Sequence, residues 1–345
     1  MPSAEHRGRA QTLRVLLRDG ARRLNAARVS YGHGTTNAHD EAAWLALHAL
    51  NLPFEALDRN LDRALSANEV RRVAALIGER IRTRLPAAYL VKEAWLGKYR
   101  FYVDERVIVP RSFIAELLND RLAPWIRETS QVRSALDLCT GSGCLGILLA
   151  LTFPRAKVHS ADISRDALAV AKRNVLDYRL RGRVSLYASD LFSKLGKQRY
   201  DVIVSNPPYV REAVMRTLPT EYRKEPALAL AGGRDGLELV RTIIAEAAQH
   251  LNPGGLLVVE VGHNRKRVDK AFPSLPLIWA QTSGGDDCVF MVTRESLLAA
   301  SAAQSPRASR AAASLHSQVA GSPARASAAA GAQRRRSARA SGGSR

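Results

Sequence analysis

A chain of 345 residues, 46% hydrophobic and 24% charged, can bury a large core and carry two domains. Its formal net charge of +20 points to an anionic surface nearby, with nucleic acid first in line. Three cysteines in so long a chain exclude a disulfide framework, and no stretch has the apolar length of a membrane span or the shape of a signal peptide. These features predict a reducing, cytoplasmic setting away from membranes. The charge is uneven: eight arginines and no lysine or acid fall between Ser301 and Arg345, which leaves +12 on the rest.

Residues 1–93 read as a helical domain. "AQTLRVLLRDGARRLNAA" sets Leu13, Leu16, Leu17 and Leu24 in an arginine-rich background. The glycine-bearing turn "YGHG" precedes a second helix that Asn37 or Asp40 can cap, and His33 reads as a turn residue. Ser66 followed by Glu69 makes a capping box before a helix with Val70, Val73, Leu76, Ile77 and Ile81 on one face. Residues 94–111 read as a β-hairpin connector. Phe101 and Val103 would face Val107 and Val109 around a turn at "DER", and Pro110 would end it. Over 112–297 the rhythm is strand, loop, helix: "SALDL", "KVHSADI", "VSLYASDL", "YDVIVS", "GGLLVVEVG" and "CVFMVT" alternate with helical stretches. Such alternation predicts an α/β fold with a mainly parallel, doubly wound sheet. After Leu297 the chain is Ala, Ser, Arg and Gly, so 298–345 is expected to be a disordered basic tail.

Two strand ends carry the chemistry. "LDLCTGSGCLGI" places Gly141, Gly143 and Gly146 between a strand and a helix, where a ligand can approach the backbone closely. Asp162 ends the next strand about twenty residues on, at the usual place of a ribose-binding carboxylate, and Asp190 ends the third. Alone, this spacing says only that the ligand contains adenosine. Cys139 and Cys144 flank the loop at a spacing that fits no common zinc pattern, so no metal is expected. The fourth strand stops at Asn206-Pro207-Pro208-Tyr209. Two prolines cannot donate to a ladder and fix the chain in an extended form. In a doubly wound sheet the first and fourth strands are neighbours at the switch point, so this motif should face the glycine loop across one crevice. The Asn206 amide oxygen and the Pro207 carbonyl are then two fixed acceptors suited to an –NH2 group, and Tyr209 can stack on a flat one.

With "DLCTGSG" upstream, "NPPY" resembles the class I S-adenosylmethionine-dependent methyltransferases that act on planar amino groups. Segments along Ala10–Arg294 resemble, more narrowly, the bacterial glutamine amide methyltransferases: "GHGTTNAHDEA", "VDERVIVPRS", "EPALALAGGRDGLELVRTII" and "LVVEVGH". The first two are similar to the branch that modifies large-subunit ribosomal protein three. Phe113 departs from this pattern, which has proline after "PRS". The resemblance implies that Asn206, Pro207, Pro208 and Tyr209 hold the substrate glutamine. It implies that Asp137, Thr140, Gly141, Ser142, Gly143, Asp162, Asp190, Leu191 and Asn206 hold S-adenosylmethionine, which leaves as S-adenosylhomocysteine. It also implies that the helical domain receives the protein substrate and that "EPALALAGG" forms a lid, with Glu225 structural. Other readings are methylation of a release factor, methylation of a base amino group in RNA or DNA, and a non-catalytic nucleotide-binding module. His263 reads as a structural histidine, and the basic tail as a solvated extension, with a weak RNA contact as the alternative.

Overall fold

The computed structural model describes residues 11–303. The first third is helical: α1 (Leu13–Ala26), α2 (Ala38–Leu50), the short α3 (Leu57–Asn60), α4 (Ala67–Thr83) and α5 (Ala87–Val91). The amphipathic α1 and α4 each bury one face, including Leu13, Leu17 and Leu24 on α1 and Val73 and Ile77 on α4. The far more apolar α2 packs against both. Helix starts follow their local chemistry. The Asn37 side chain accepts from Asp40 N at 2.9 Å. Ser66 Oγ accepts from Glu69 N at 3.3 Å while the Glu69 carboxylate accepts from Ser66 N at 2.9 Å.

The connector differs from its expected register. Its hairpin is β1 (Ala94–Leu96) against β2 (Tyr99–Phe101), turned at Gly97–Lys98. No strand forms on either side of "DER". The Asp104 carboxylate accepts from Arg106 N, Arg106 Nε and Tyr102 OH at 3.1, 2.9 and 2.8 Å, and this local bonding replaces a ladder. Val103, Val107 and Val109 are buried as their alternation suggests, in the core of the helical region together with Ala167 and Val170.

After α6 (Ile114–Asn119) comes a seven-stranded sheet: β3 (Ser134–Leu138), β4 (Lys157–Asp162), β5 (Val184–Ala188), β6 (Tyr200–Ser205), β7 (Leu251–Glu260), β8 (Ile278–Trp279) and β9 (Val289–Thr293). The strand order is β5-β4-β3-β6-β7-β9-β8. The run from β5 to β7 is parallel, and β9 lies antiparallel to β7 and β8. The remaining helices are α7 (Cys144–Thr152), α8 (Arg165–Asp177), α9 (Glu212–Met215), α10 (Glu238–His250), α11 (Arg265–Ala271) and α12 (Arg294–Ala303). Alternate residues of β6 feed two cores. Val202 and Val204 pack with Ile147 and Leu148 of α7, whereas Ile203 packs with Val240 and Ile243 of α10. The doubly wound α/β fold with a helical N-terminal region is therefore the one expected. Helix α12 runs beyond the boundary at 297, so residues 298–303 are helical; the rest of the basic tail lies outside the described residues. Among the described residues no helix is long and apolar enough to cross a membrane.

Candidate active site

The strand order reverses between β3 and β6, which opens a crevice beyond their carboxyl ends. Leu138 pairs with Ser205 in register, and Ser205 Oγ donates to the Leu138 carbonyl at 3.0 Å. The glycine loop and "NPPY" thus start side by side, as the sequence predicts. The loop is held from below by Asp137, which is fully buried. Its Oδ2 accepts from the Thr140 hydroxyl and from Gly146 N at 2.8 Å, while Oδ1 has no partner among the described residues. Burial pushes this carboxyl up to about 7, against the pull of those two donors.

A cleft of about 830 Å³, part of it open to solvent, runs along the crevice. Of the residues singled out in the sequence, Cys139, Gly141, Asp162, Asp190, Leu191, Asn206 and Pro208 line it. Thr140, Ser142 and Gly143 are buried behind the loop, and Asp137 lies beneath it. Asp162 receives Gly141 N on Oδ2 at 2.8 Å and Ser164 N on Oδ1 at 2.9 Å. Burial raises its pKa, and these N–H groups oppose the rise. A carboxylate has about four acceptor sites, so with Ile163 N also directed at it there is still room for a hydroxyl donor. The Asp190 carboxylate is exposed and has no partner among the described residues.

Sequence reasoning missed the apolar wall. Ile163, directly after Asp162, is 56% exposed, and Leu228 is 59% exposed; both line the cleft. Large apolar side chains left open beside two carboxylates suit a flat base next to a polar sugar. The one sequence signal was an isoleucine following the strand-end acid. Arg106, Val107 and Ile108 also line the cleft. They lie in the segment read as a hairpin, where nothing marked them as wall.

Asn206 sits at the cleft, and its side chain has no hydrogen-bond partner among the described residues. The Pro207 carbonyl likewise receives no donor there; Pro207 is buried and Tyr209 partly so, and neither lines the cleft. The motif is clasped from one side. Val210 N donates to the Leu230 carbonyl at 2.9 Å and Gly232 N to the Val210 carbonyl at 2.8 Å. A Cβ at Gly232 would lie 2.6 Å from Tyr209 Cα and 2.7 Å from the Pro208 oxygen, so the approach requires glycine. The ring of Tyr209 is largely enclosed, which drives its phenol pKa upward, with the Glu260 charge adding to the effect.

The "EPALALAGG" segment brings Pro226, Leu228 and Ala229 to the cleft. Its Glu225 is fully buried and forks onto Arg111 at 2.6 and 2.5 Å, while also accepting from Val109 N at 2.9 Å. Burial alone would raise Glu225, but Arg111 and then His33, 3.5 Å away, hold it at about 2. His33 lies in the turn that Gly32 N closes onto the Thr35 carbonyl at 2.8 Å, and it is buried there, with its ring tilted against Tyr222 at 4.3 Å. Glu221, which sequence reasoning passed over, is also buried and ties this segment to α4 through Arg80 at 3.3 Å and Arg84 at 2.6 Å. Phe113 has a use that proline could not serve, since its N–H donates to buried Glu260 at 2.9 Å.

A glycine loop and two strand-end carboxylates, sharing one crevice with a free amide on a stiff strand end, form the arrangement of the class I methyltransferases. Residues 116–221 match the model of the methyltransferase small domain, and residues 16–91 match that of the PrmC N-terminal domain. The ribosomal protein uL3 glutamine methyltransferase of Bordetella pertussis is 55% identical over 85% of this chain and 98% of its own length. Proteins of the same description from Neisseria meningitidis and Burkholderia pseudomallei are 53% and 51% identical, covering 83% and 82% of this chain and 94% of each relative. The chain belongs to the family of ribosomal protein uL3 glutamine methyltransferases.

Proposed function

We propose that this protein transfers a methyl group from S-adenosylmethionine to the side-chain amide nitrogen of a glutamine in ribosomal protein uL3, releasing S-adenosylhomocysteine. The observation that carries the mechanism is the pair of unpartnered acceptors, Asn206 Oδ1 and the Pro207 carbonyl, on a clasped strand end beside the glycine loop. The donor supplies a methyl group activated on a sulfonium sulfur. The glycine loop, Asp162 and Asp190 hold its amino acid part, ribose and adenine, with Ile163 and Leu191 against the base. Asp137, Thr140, Ser142 and Gly143 act by shaping that loop.

An amide nitrogen is a poor nucleophile because its lone pair is delocalised into the carbonyl. Asn206 and Pro207 each accept one of its N–H bonds, which fixes the nitrogen and favours a pyramidal geometry with the lone pair aimed along the transfer line. Both acceptors carry partial negative charge toward a nitrogen that becomes positive as the N–C bond forms and the C–S bond breaks. The nitrogen then gives one proton to water. Tyr209, whose ring packs on Gly262 away from the cleft and so does not take the expected stacking place on the amide, backs the motif, Pro208 keeps it stiff, and the 226–229 segment covers the site. The helical region of residues 1–93 receives the ribosomal protein, in the cytoplasm.

The test incubates the purified protein with methyl-labelled donor and with ribosomes plus soluble extract from cells lacking its gene. Mass spectrometry then identifies the labelled molecule. Label on a uL3 glutamine is the expected result. Label on a release factor would keep the chemistry and change the substrate; label only in nucleic acid would overturn the glutamine reading.

A further inference from the structure

One group of side chains has no part in the transfer chemistry. His263 follows β7, and Asp287 and Cys288 precede β9. His263 Nδ1 lies 3.0 Å from both carboxylate oxygens of Asp287 and 3.7 Å from Cys288 Sγ. Cys288 Sγ lies 3.4 Å from Asp287 Oδ1. Three donors of three kinds, nitrogen, oxygen and sulfur, therefore converge on one point.

Two ordinary explanations fit poorly. A nucleophilic thiol relay needs the acid on one imidazole nitrogen and the thiol on the other. Here both meet Nδ1. A plain His–Asp ion pair accounts for the carboxylate, and the Cys288 thiol can donate to the Gly284 carbonyl at 3.4 Å, but neither contact requires Sγ to lie within 3.7 Å of the same imidazole nitrogen. A tetrahedral zinc ion does account for it. With zinc bonds of roughly 2.3 Å to sulfur and 2.0–2.2 Å to nitrogen and oxygen, the ligand-to-ligand edges come to roughly 3.3–3.6 Å. The S–O edge of 3.4 Å lies in that range and the N–S edge of 3.7 Å just above it, while the N–O edge of 3.0 Å is a direct hydrogen bond that opens by a few tenths of an ångström when an ion enters.

The scaffold is set before any ion arrives. Val261 N donates to the Cys288 carbonyl at 2.8 Å, and Glu260 pairs with Val289, so the sheet ladder positions the backbone beside both His263 and Cys288. The neighbouring Asp286 is taken by Arg265 at 2.8 Å, which leaves Asp287 to face the histidine. His263 is 73% exposed, so the fourth coordination position opens toward water.

We propose that His263, Asp287 and Cys288 form a binding site for one zinc-class divalent ion, with a fourth position open to solvent. Binding releases the Cys288 thiol proton to water and places a thiolate, an imidazole and a carboxylate on the metal. The site also touches the substrate motif. Gly262 adjoins His263, and a Cβ there would lie 2.7 Å from Tyr209 Cε2, so the bound ion pins the backbone on which Tyr209 rests.

The test uses the full chain, stripped with a chelator and titrated with Co²⁺. The expected result is one Co²⁺ per chain with thiolate-to-cobalt charge-transfer absorption, removed by an equivalent of Zn²⁺. His263→Ala and Cys288→Ser should each abolish that absorption and weaken Zn²⁺ binding at least tenfold. His263 is exposed, so its variant tests the site even where loss of the buried cysteine disturbs folding. No charge-transfer absorption in a large excess of Co²⁺, or a band unchanged in either folded variant, would overturn the site.

Discussion

At the scale of single residues, the acceptors and the carboxylates separate cleanly. Asn206→Ala removes the acceptor proposed for the substrate amide and leaves the glycine loop and Asp162 in place. Turnover should fall about 10²–10³-fold, the usual cost of losing one aimed hydrogen-bonding group, while calorimetry finds donor affinity nearly unchanged. Asp162→Ala should do the reverse, weakening donor binding by about 1–3 kcal/mol as ribose hydroxyls lose an acceptor; unchanged affinity would remove it from the ribose. Asp137 gives a pH signature. Burial lifts it from the ordinary 3.8 to about 7, and Glu260, buried against Ser112 and Phe113, also rises to about 7. The folded chain thus keeps protons that the unfolded chain releases. Their contribution to stability is complete below about pH 4 and lost as pH rises through 7. Urea midpoints should therefore decline between pH 5 and 8, and Asp137→Asn should flatten that decline. The acids and "NPPY" were legible in the sequence because strand ends of a doubly wound sheet face one crevice. Ile163, Leu228 and Arg106 were not, because exposure of an apolar side chain, or the path of an irregular segment, depends on packing that no local pattern encodes.

At the scale of elements, legibility followed periodicity and capping. The long helices and the alternating strands of the sheet were readable because each satisfies its own period and its own ends, as Ser66 and Glu69 do for α4. Ser66→Ala should cost about 1 kcal/mol in equilibrium unfolding. The hairpin was misplaced because Asp104 binds Arg106 and Tyr102 locally and so competes with strand pairing. Strand β8, two residues long, is too short to show a period. The clasp on "NPPY" was equally hidden, since it joins β6 to a loop more than twenty residues on. Gly232→Ala tests it. The added methyl group would meet backbone at Tyr209 and Pro208 rather than a movable side chain, so the motif must shift. We expect turnover to fall at least tenfold, on the grounds that sub-ångström misplacement of reacting groups is costly, with donor affinity and melting temperature changing much less. Equal loss of all three would mean that the glycine serves folding and not the site.

At the scale of the whole molecule, the helical region and the sheet are joined through their interiors as well as through a connector. Val103, Val107 and Val109 share one core with Ala167 and Val170 of α8, while Leu96 and Phe101 enter the core of the sheet. Asn174 of α8 is buried and holds Tyr102 N, the Tyr102 carbonyl and the Ser142 carbonyl at 2.8, 3.0 and 2.8 Å, which links the connector to the glycine loop directly. Glu221 and Glu225 lock the segment over the cleft onto Arg80, Arg84 and Arg111. Chains of this size often unfold in stages. Here, separating the two regions would strand Arg80, which is completely buried and relies on Glu41 and Glu221 for its charge partners. The wild-type chain should therefore unfold in urea as one transition, seen alike by tryptophan fluorescence and by backbone circular dichroism. Glu221→Ala leaves the Arg80 charge one partner short, a loss of about 3–5 kcal/mol for a buried pair. That loss falls on the junction and not on either core, so the two probes should part in this variant, and turnover on uL3 should drop as the cover over the cleft loosens. Two separate transitions already present in the wild type would show that the regions fold independently and that these buried ion pairs do not couple them.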